Sequence, residues 1–166
     1  MKPFFEFIWE TVKVAAVALV IVLPIRYFVF QPFIVSGQSM TPTFQNGDYL
    51  VIDELSYRFR EPERGEVVVL KYPHDPSQRY IKRIIGLPGE ALEIKDGRLW
   101  INGSLLADDN FTPGDLKIIL EKDEFFVLGD NRLHSSDSRG WGVLPKENIV
   151  GRALWRLWPL AQAKSF

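Results

Sequence analysis

The chain has 166 residues, of which 46% are hydrophobic, 13% aromatic and 25% charged, a length that suits one compact domain and a composition that argues against intrinsic disorder. Its 20 Lys and Arg residues nearly balance its 21 Asp and Glu residues, and the net charge of -1 argues against a nucleic-acid-binding protein. The absence of cysteine excludes disulfides, thiolate metal sites and cysteine nucleophiles.

Apolar residues are concentrated near the N-terminus. Residues 14–25 read VAAVALVIVLPI and contain no charged or hydrogen-bonding side chain. Extended to Phe30, the segment would form a helix of about 25 Å, which approaches the thickness of the bilayer hydrocarbon core if Arg26 reaches outward. Aromatic residues flank the segment on both sides, as is typical of membrane interfaces. The pattern predicts a single transmembrane anchor over residues 13–31, after a short interfacial segment over residues 1–12.

Two other interpretations of this segment stay open at this stage. A cleavable signal peptide would need a basic start and a small-residue cleavage site, but the run is followed by LPIRYF. A buried core helix is the second alternative. The charges on the two flanks, Lys2 and Lys13 before the run and Arg26 after it, leave the membrane orientation undetermined.

After Pro32 the sequence consists of short β-branched and aromatic runs separated by turn residues, which predicts a β-rich domain over residues 32–166. A hairpin is predicted over residues 91–102, because Asp96-Gly97 readily adopts the positive φ of a type I′ turn. Residues 58–65 (RFREPERG) are typical of an exposed charged loop. The other strands are predicted at 48–53, 66–72, 79–85, 124–128 and 148–157. The predicted fold class is mainly β behind a single N-terminal transmembrane helix.

A hydroxyl nucleophile needs a base, and the sequence offers two kinds. His134 lies beside two serines and Asp137 in GDNRLHSSDSRGWG, which permits a Ser-His-Asp arrangement. The same stretch is also compatible with an ordinary polar loop or a cation site, although it lacks the spacing of an EF-hand.

A lysine is the other base. Only about one free lysine in 2,500 is neutral at pH 7, so a catalytic lysine must be buried among apolar residues. Lys82 lies between isoleucines in RYIKRIIGLPGE, and Ser39 lies in the Gly- and Pro-containing stretch VSGQSMTPTF. A solvent-facing strand lysine and an ordinary turn serine would explain these residues equally well.

Four blocks, taken in order, give the chain a resemblance to the type I signal peptidases, which are membrane-anchored serine proteases with a Ser/Lys dyad. The blocks are the N-terminal anchor, SGQSMTPT at 36–43, YIKRIIGLPGE at 80–90 and GDNRLHSSDSRGWG at 129–142. With GDYLV, GEVVVLKYP and VGRA, the resemblance covers most of the chain. It implies a β-rich catalytic domain of the signal-peptidase type, without a metal ion or other cofactor.

The resemblance assigns Ser39 as the nucleophile and neutral Lys82 as the general base of an acyl-enzyme mechanism. It places the oxyanion at the Ser39 backbone N–H and has Gly37 where some family members carry a helping serine. Ser135 matches a residue that orients the lysine. The charged supports implied by the resemblance are Asp137, Arg139, Asp130 and Arg83, with Arg83 and Asp130 expected to form a salt bridge. The substrate subsites, matched by position only, are Val35, Met40, Tyr80 and Ile81.

The resemblance also implies the substrate and the location. The enzyme would cut preproteins after small residues at positions -1 and -3 of the signal peptide, with its N-terminus cytoplasmic and its catalytic domain extracytoplasmic in a single-pass cell-membrane protein. Because Ser39 follows Phe30 by nine residues, it lies at most about 30 Å from the end of the anchor. Membrane lipid and the export machinery are therefore expected contacts, and no nucleic acid is.

Trp155 and Trp158 are predicted to be buried strand residues rather than lipid contacts. Two other functions stay open at this stage, namely a catalytically inactive, membrane-tethered β-domain that only binds, and a self-cleaving protein with a Ser/Lys dyad. An N-terminal region of 35 mostly apolar residues does not provide the DNA-binding domain that a self-cleaving repressor would need.

Overall fold

The computed structural model of the protein describes residues 2–28, 30–108, 110–159 and 164–165. Position 29 of the predicted anchor and positions 109, 160–163 and 166 of the predicted β-rich domain lie outside the described residues. The helices are α1 (Lys2–Phe28) and α2 (Ser138–Trp141). The strands are β1 (Phe30–Ile34), β2 (Tyr49–Asp53), β3 (Val67–Tyr72), β4 (Asp75–Gly86), β5 (Ala91–Lys95), β6 (Arg98–Ile101), β7 (Ser104–Leu105), β8 (Leu116–Ile119), β9 (Glu124–Leu128), β10 (Leu144–Pro145), β11 (Ile149–Trp158) and β12 (Lys164–Ser165).

The N-terminal helix differs from the predicted anchor in its bounds. It begins at Lys2, so the first aromatic flank lies inside the helix, and it ends at Phe28. The predicted extension of the helix to Phe30 is wrong, because β1 forms an antiparallel ladder with β2 in which Phe30 lies opposite Asp53. No helix in the described part of the chain is both long enough and apolar enough to cross a membrane.

Two antiparallel sheets form the β-rich part that the strand pattern predicts. The larger sheet has the order β1-β2-β11-β3-β4-β9-β10, with β12 paired to β11, and the smaller sheet has the order β7-β6-β5-β8. The predicted hairpin is confirmed, since β5 pairs with β6 and both Asp96 and Gly97 have positive φ, at 52° and 73°. The turn at Asn102-Gly103 likewise joins β6 to β7.

Strand β4 connects the two sheets and carries Lys82 near its middle. It pairs with β3 along its length and with β9 near its end, where Gly86 lies opposite Phe126. A Cβ at Gly86 would lie within 3.0 Å of Leu120, so only glycine lets the strand pass this closely to the core of the smaller sheet. Lys82 is therefore held in the centre of a long, doubly paired strand.

The prediction that Trp155 and Trp158 are buried is wrong. Trp155 and Trp158 are about half exposed, at 52% and 54%, whereas Arg156 between them is buried. Successive side chains of a strand point to opposite faces, so Arg156, which forms an ion pair with Asp48 at 3.3 Å, takes the inward position beside Trp155. Between Arg156 and Trp158 the ladder with β2 shifts register, so Trp158 does not follow this alternation. The loop at 58–65 is mostly exposed, as predicted, and its Arg60 forms an ion pair with Glu66.

Candidate active site

Ser39 and Lys82, 43 residues apart in sequence, are in direct contact. Ser39 lies in the turn segment between β1 and β2, and the Lys82 Nζ donates a hydrogen bond to the Ser39 Oγ at 2.9 Å. The same Nζ donates to the Ile81 carbonyl oxygen, also at 2.9 Å. The bond to the Ile81 carbonyl oxygen helps to hold the lysine amine next to the serine hydroxyl. The arrangement has the geometry of a nucleophile and its general base.

The environment of Lys82 favours its neutral form. Only 3% of the residue is exposed. This burial lowers the pKa of Lys82 to about 8, although the negative charges of Asp137 and Asp130 act in the opposite direction. With that pKa, roughly one lysine in ten is neutral at pH 7, compared with about one in 2,500 for a free lysine. Lys82 can therefore accept a proton near neutral pH.

The Ser39–Lys82 pair lies in a cleft of about 430 Å³. One wall consists of residues 33–34 and 36–39, the opposite wall consists of residues 79–82 of β4, and His134 and Ser136 complete the lining. One wall thus combines the end of β1 with the turn that carries Ser39, and the other wall is part of strand β4. A cleft of this shape suits an extended peptide.

Charged side chains surround the pair without touching the serine. Arg83 forms a bidentate ion pair with Asp130, with its Nε 2.8 Å and its Nη2 2.6 Å from the two carboxylate oxygens. Arg139 forms a similar pair with the buried Asp137, through its Nε and its Nη2, both at 2.8 Å. Asp137 also accepts the backbone N–H of Gly129 at 3.1 Å. The two carboxylates that act on Lys82 are therefore each held by an arginine.

Ser135 lies close to the pair, but its predicted role in orienting Lys82 stays a prediction. Its Oγ is buried and has no hydrogen-bond partner within the described residues. Gly129 packs against both serines, since a Cβ at this position would lie within 3.0 Å of the Ser135 Oγ and the Ser39 carbonyl oxygen. Any larger residue at position 129 would displace the nucleophile segment.

The four predicted subsite residues separate into two groups. Tyr80 and Ile81 line the cleft. Val35 and Met40 are not part of its lining and pack in the hydrophobic core with Phe44, a core to which Ile81 also belongs. The roles of all four residues in substrate binding stay predictions.

Gly37 has a backbone conformation that other residues rarely adopt. Its φ is 93°, in the left-handed region that favours glycine. Its N–H donates to the Asn46 Oδ1 at 2.9 Å, which ties the start of the serine segment to its end. No side-chain hydroxyl is present at this position to help bind an oxyanion, as the sequence indicates.

The histidine alternative receives no geometric support. His134 lines the cleft, but within the described contacts its ring forms no hydrogen bond with a serine or a carboxylate. The loop at 129–142 was also a candidate cation site, and the described residues contain no cluster of three or more His, Asp or Glu side chains placed to hold a metal ion. The contact at Ser39 is made by a lysine.

Two residues at the site were not predicted. Asn131 donates from its backbone N–H to the Ser39 carbonyl oxygen at 3.0 Å and from its Nδ2 to the Gln38 carbonyl oxygen at 3.2 Å. Because Asn131 directly follows the predicted site residue Asp130, the sequence could have indicated that it lies near the site. Arg156 donates to the Thr43 carbonyl oxygen from the distant strand β11. No local pattern could have indicated that contact, because it spans 113 residues.

Comparisons with known proteins place the chain in one family. The family model described as signal peptidase, peptidase S26, matches residues 8–158. A probable signal peptidase I-1 of Synechocystis is 37% identical over 95% of this chain and 86% of its own length, and a signal peptidase I of Leptolyngbya laminosa is 40% identical over 91% and 80%. The crystal structure of a signal peptidase I from Enterococcus faecalis is 31% identical, with a TM-score of 0.51, over 56% of this chain and 97% of that one.

Proposed function

Since the chain belongs to the signal peptidase family, peptidase S26, and is a serine endopeptidase that removes signal peptides, we propose that Ser39 and Lys82 perform this hydrolysis. The observation that carries the proposal is the 2.9 Å hydrogen bond between the buried Lys82 amine and the Ser39 hydroxyl. A lysine replaces the histidine of the more familiar serine proteases, because its burial supplies the neutral amine that a base requires.

The first half of the reaction forms an acyl-enzyme. Neutral Lys82 takes the hydroxyl proton as the Ser39 Oγ attacks the scissile carbonyl carbon, and the carbonyl oxygen becomes an oxyanion. The backbone N–H of Ser39 donates to that oxyanion. The protonated Lys82 then gives its proton to the leaving amine, the C–N bond breaks, and the mature protein departs with a new N-terminus.

The second half regenerates the enzyme. Lys82, neutral again, takes a proton from water, whose oxygen attacks the ester carbonyl carbon. The C–O bond to Ser39 breaks, the serine recovers its proton, and the signal peptide is released with a free carboxyl group. Asp137 and Asp130 favour the charged form of Lys82 and so stabilise the lysine in the steps in which it holds the proton.

The shape of the cleft supports cleavage after small residues at positions -1 and -3. An extended peptide between residues 33–38 and β4 would point alternate side chains to the same side, so positions -1 and -3 would face one wall together. Ile81, which lines the cleft beside Lys82, is apolar and almost fully buried. We propose that the small side chains at positions -1 and -3 contact this apolar wall.

Exposed apolar residues support a membrane-bound enzyme with α1 as its anchor. Along α1, Val14 and Val20 are about 70% exposed, at 69% and 72%. On the larger sheet, Ile34 lies opposite Tyr49, which lies opposite Trp158, so three exposed apolar side chains form a row across three strands beside the cleft. Lipid contact through this row would bring the cleft to the bilayer surface, where a signal peptide emerges.

The membrane arrangement can be tested with single cysteines, because the chain has none. Lys2→Cys and Asn110→Cys, each treated in intact cells with a membrane-impermeant thiol reagent, should differ: position 110 is labelled and position 2 is not. In the proposed orientation the N-terminus is cytoplasmic and the catalytic domain is extracytoplasmic. Labelling of position 2 alone would show the opposite orientation. Contact with the export machinery stays a prediction.

The dyad is tested by cleavage of a purified preprotein in detergent. Ser39→Ala and Lys82→Ala should each lower the rate by more than about 10³-fold, because the nucleophile and its base act as a unit. His134→Ala is the matched control, since it truncates a residue of the same cleft, and it should retain most of the activity. Substantial activity of either dyad variant would refute the assignment, and an inactive wild-type enzyme would favour a binding module.

A further inference from the structure

We propose that Asn131 is a positioning residue that orients the oxyanion-binding N–H of Ser39. The inference rests on the proposed function, since it concerns the same nucleophile. Asn131 lies in the segment between β9 and α2, and it reaches the serine segment with two hydrogen bonds, from its backbone N–H to the Ser39 carbonyl oxygen at 3.0 Å and from its Nδ2 to the Gln38 carbonyl oxygen at 3.2 Å.

The bond to Gln38 acts on the Ser39 N–H through peptide geometry. The Gln38 carbonyl and the Ser39 N–H belong to one planar trans peptide group, in which they point in opposite directions. Holding the carbonyl oxygen therefore fixes the direction of the N–H. Within the described part of the chain, the Ser39 N–H donates to no protein group, so its hydrogen is free to meet a developing oxyanion.

Asn131 is itself held from both sides along the chain. The residue before it, Asp130, forms the bidentate pair with Arg83. The residue after it, Arg132, is buried and donates to the Gly129 carbonyl oxygen at 3.0 Å. The His134 N–H donates to the Asn131 carbonyl oxygen at 3.0 Å. A side chain on so rigid a base can hold another group in place, because little of its own freedom remains to be lost.

The far end of the same short segment is also held. The Gly37 N–H donates to the Asn46 Oδ1 at 2.9 Å, two peptides before the group that Asn131 controls. Residues 37–39 are thus held at both ends by asparagine side chains, Asn46 at the start and Asn131 at the end. Only the bond from Asn131 acts on the peptide that carries the oxyanion donor.

Asn131→Ala tests the inference, because it removes the amide but keeps the backbone bond to the Ser39 carbonyl oxygen. We expect kcat for a signal-peptide substrate to fall roughly 3- to 30-fold, the size of one hydrogen bond, with KM changed less than about 2-fold. A peptide aldehyde forms a tetrahedral adduct with Ser39 and places an oxygen at the oxyanion position. Its affinity should fall by the same factor as kcat, while the affinity for the product signal peptide stays unchanged.

Asn148→Ala is the matched control. The Asn148 Nδ2 makes the same kind of bond, to the Lys71 carbonyl oxygen at 3.3 Å, outside the cleft. This variant should match the wild type in kcat and in aldehyde affinity. If Asn131→Ala fails to fold, Asn131→Asp takes its place, because it keeps the shape of the side chain but removes the N–H donor. Its kcat should fall by the same factor, measured at the high pH where Lys82 is neutral and activity no longer depends on pH.

Three results would overturn the inference: wild-type kcat in the asparagine variant, an equal loss of affinity for the aldehyde and the product peptide, or a lowered Tm without a change in kcat. Each is distinct from failure of the proposed function, which would appear as activity in Ser39→Ala. With Ser39→Ala inactive and Asn131→Ala fully active, the nucleophile assignment would stand and the positioning role would fall.

Discussion

The two sheets bury very different groups. The larger sheet and its loops contain every buried charged residue that the structure describes, including Lys82, Asp137 and Arg156. The interior of the smaller sheet, over β5 and β6, is lined with Leu92, Ile94, Leu99 and Ile101. Burying a charge costs free energy unless it is paired. In the larger sheet, charged groups are buried where catalysis needs a neutral lysine and fixed carboxylates. The smaller sheet stabilises the fold by burying apolar side chains.

Arg132 links the two regions. It leaves the active-site loop and donates to Thr112 and Asp108, which lie in the connection between β7 and β8. Its backbone carbonyl oxygen accepts from Arg139 at 2.6 Å. The smaller sheet therefore supports the loop that carries Ser135 and Asp137. We expect it to have no other role in catalysis.

Outside the Ser39–Lys82 dyad, Gly129→Ala should have the largest effect on activity, because it acts inside the charged region. The new Cβ would lie within 3.0 Å of the Ser39 carbonyl oxygen and the Ser135 Oγ, so the nucleophile segment must move. A displacement of about 1 Å costs roughly 100-fold in rate, and we expect at least that loss in kcat/KM. Gly140→Ala, where a Cβ meets nothing within 4 Å, is the control and should be fully active. Equal activity of the two variants would contradict the close packing at Gly129.

The dependence of activity on pH should be the next largest effect. Because the reaction needs neutral Lys82, kcat/KM should rise tenfold per pH unit below a limb near the lysine pKa of about 8 and level off above it. Between pH 6 and pH 9 the rise should be roughly 90-fold. The measurement uses a peptide substrate without groups that titrate in this range. A limb near 10.5, the ordinary lysine value, would show that burial does not control the base.

Leu92→Ala should have the smallest effect on kcat and a large one on stability. Leu92 is fully buried in the core of the smaller sheet, and its truncation should lower the free energy of unfolding by about 2–5 kcal/mol. The kcat per folded molecule should stay within about 2-fold of the wild type, since no charged group moves. Urea unfolding and active-site titration measure the two quantities. Leu105→Ala, at an exposed leucine of β7, is the control and should leave stability and kcat unchanged. A large drop in kcat for Leu92→Ala would show that the smaller sheet takes part in catalysis.

The fold was predictable where short-range patterns decide it. Runs rich in β-branched and aromatic residues predicted most of the strands, and Asp96-Gly97 predicted the hairpin, because strand and turn preferences act over a few residues. The predicted anchor ends at residue 31, three residues after the end of α1 at Phe28, because the pairing of Phe30 with Asp53 competes with helix continuation. Trp155 is exposed because its neighbour Arg156 points to the inner face of the sheet. The sequence of one strand does not show which of its two faces points inward.

The sequence by itself determined the residue types that the chemistry requires: a serine in a turn, a lysine in an apolar strand, and no cysteine to compete with them. Only the tertiary structure decided that Lys82 reaches Ser39, that burial lowers the lysine pKa, and that Asn131 contacts the nucleophile segment. The reason is physical. Desolvation and hydrogen-bond geometry depend on all the groups that surround an atom, and those groups come from parts of the chain that are distant in sequence.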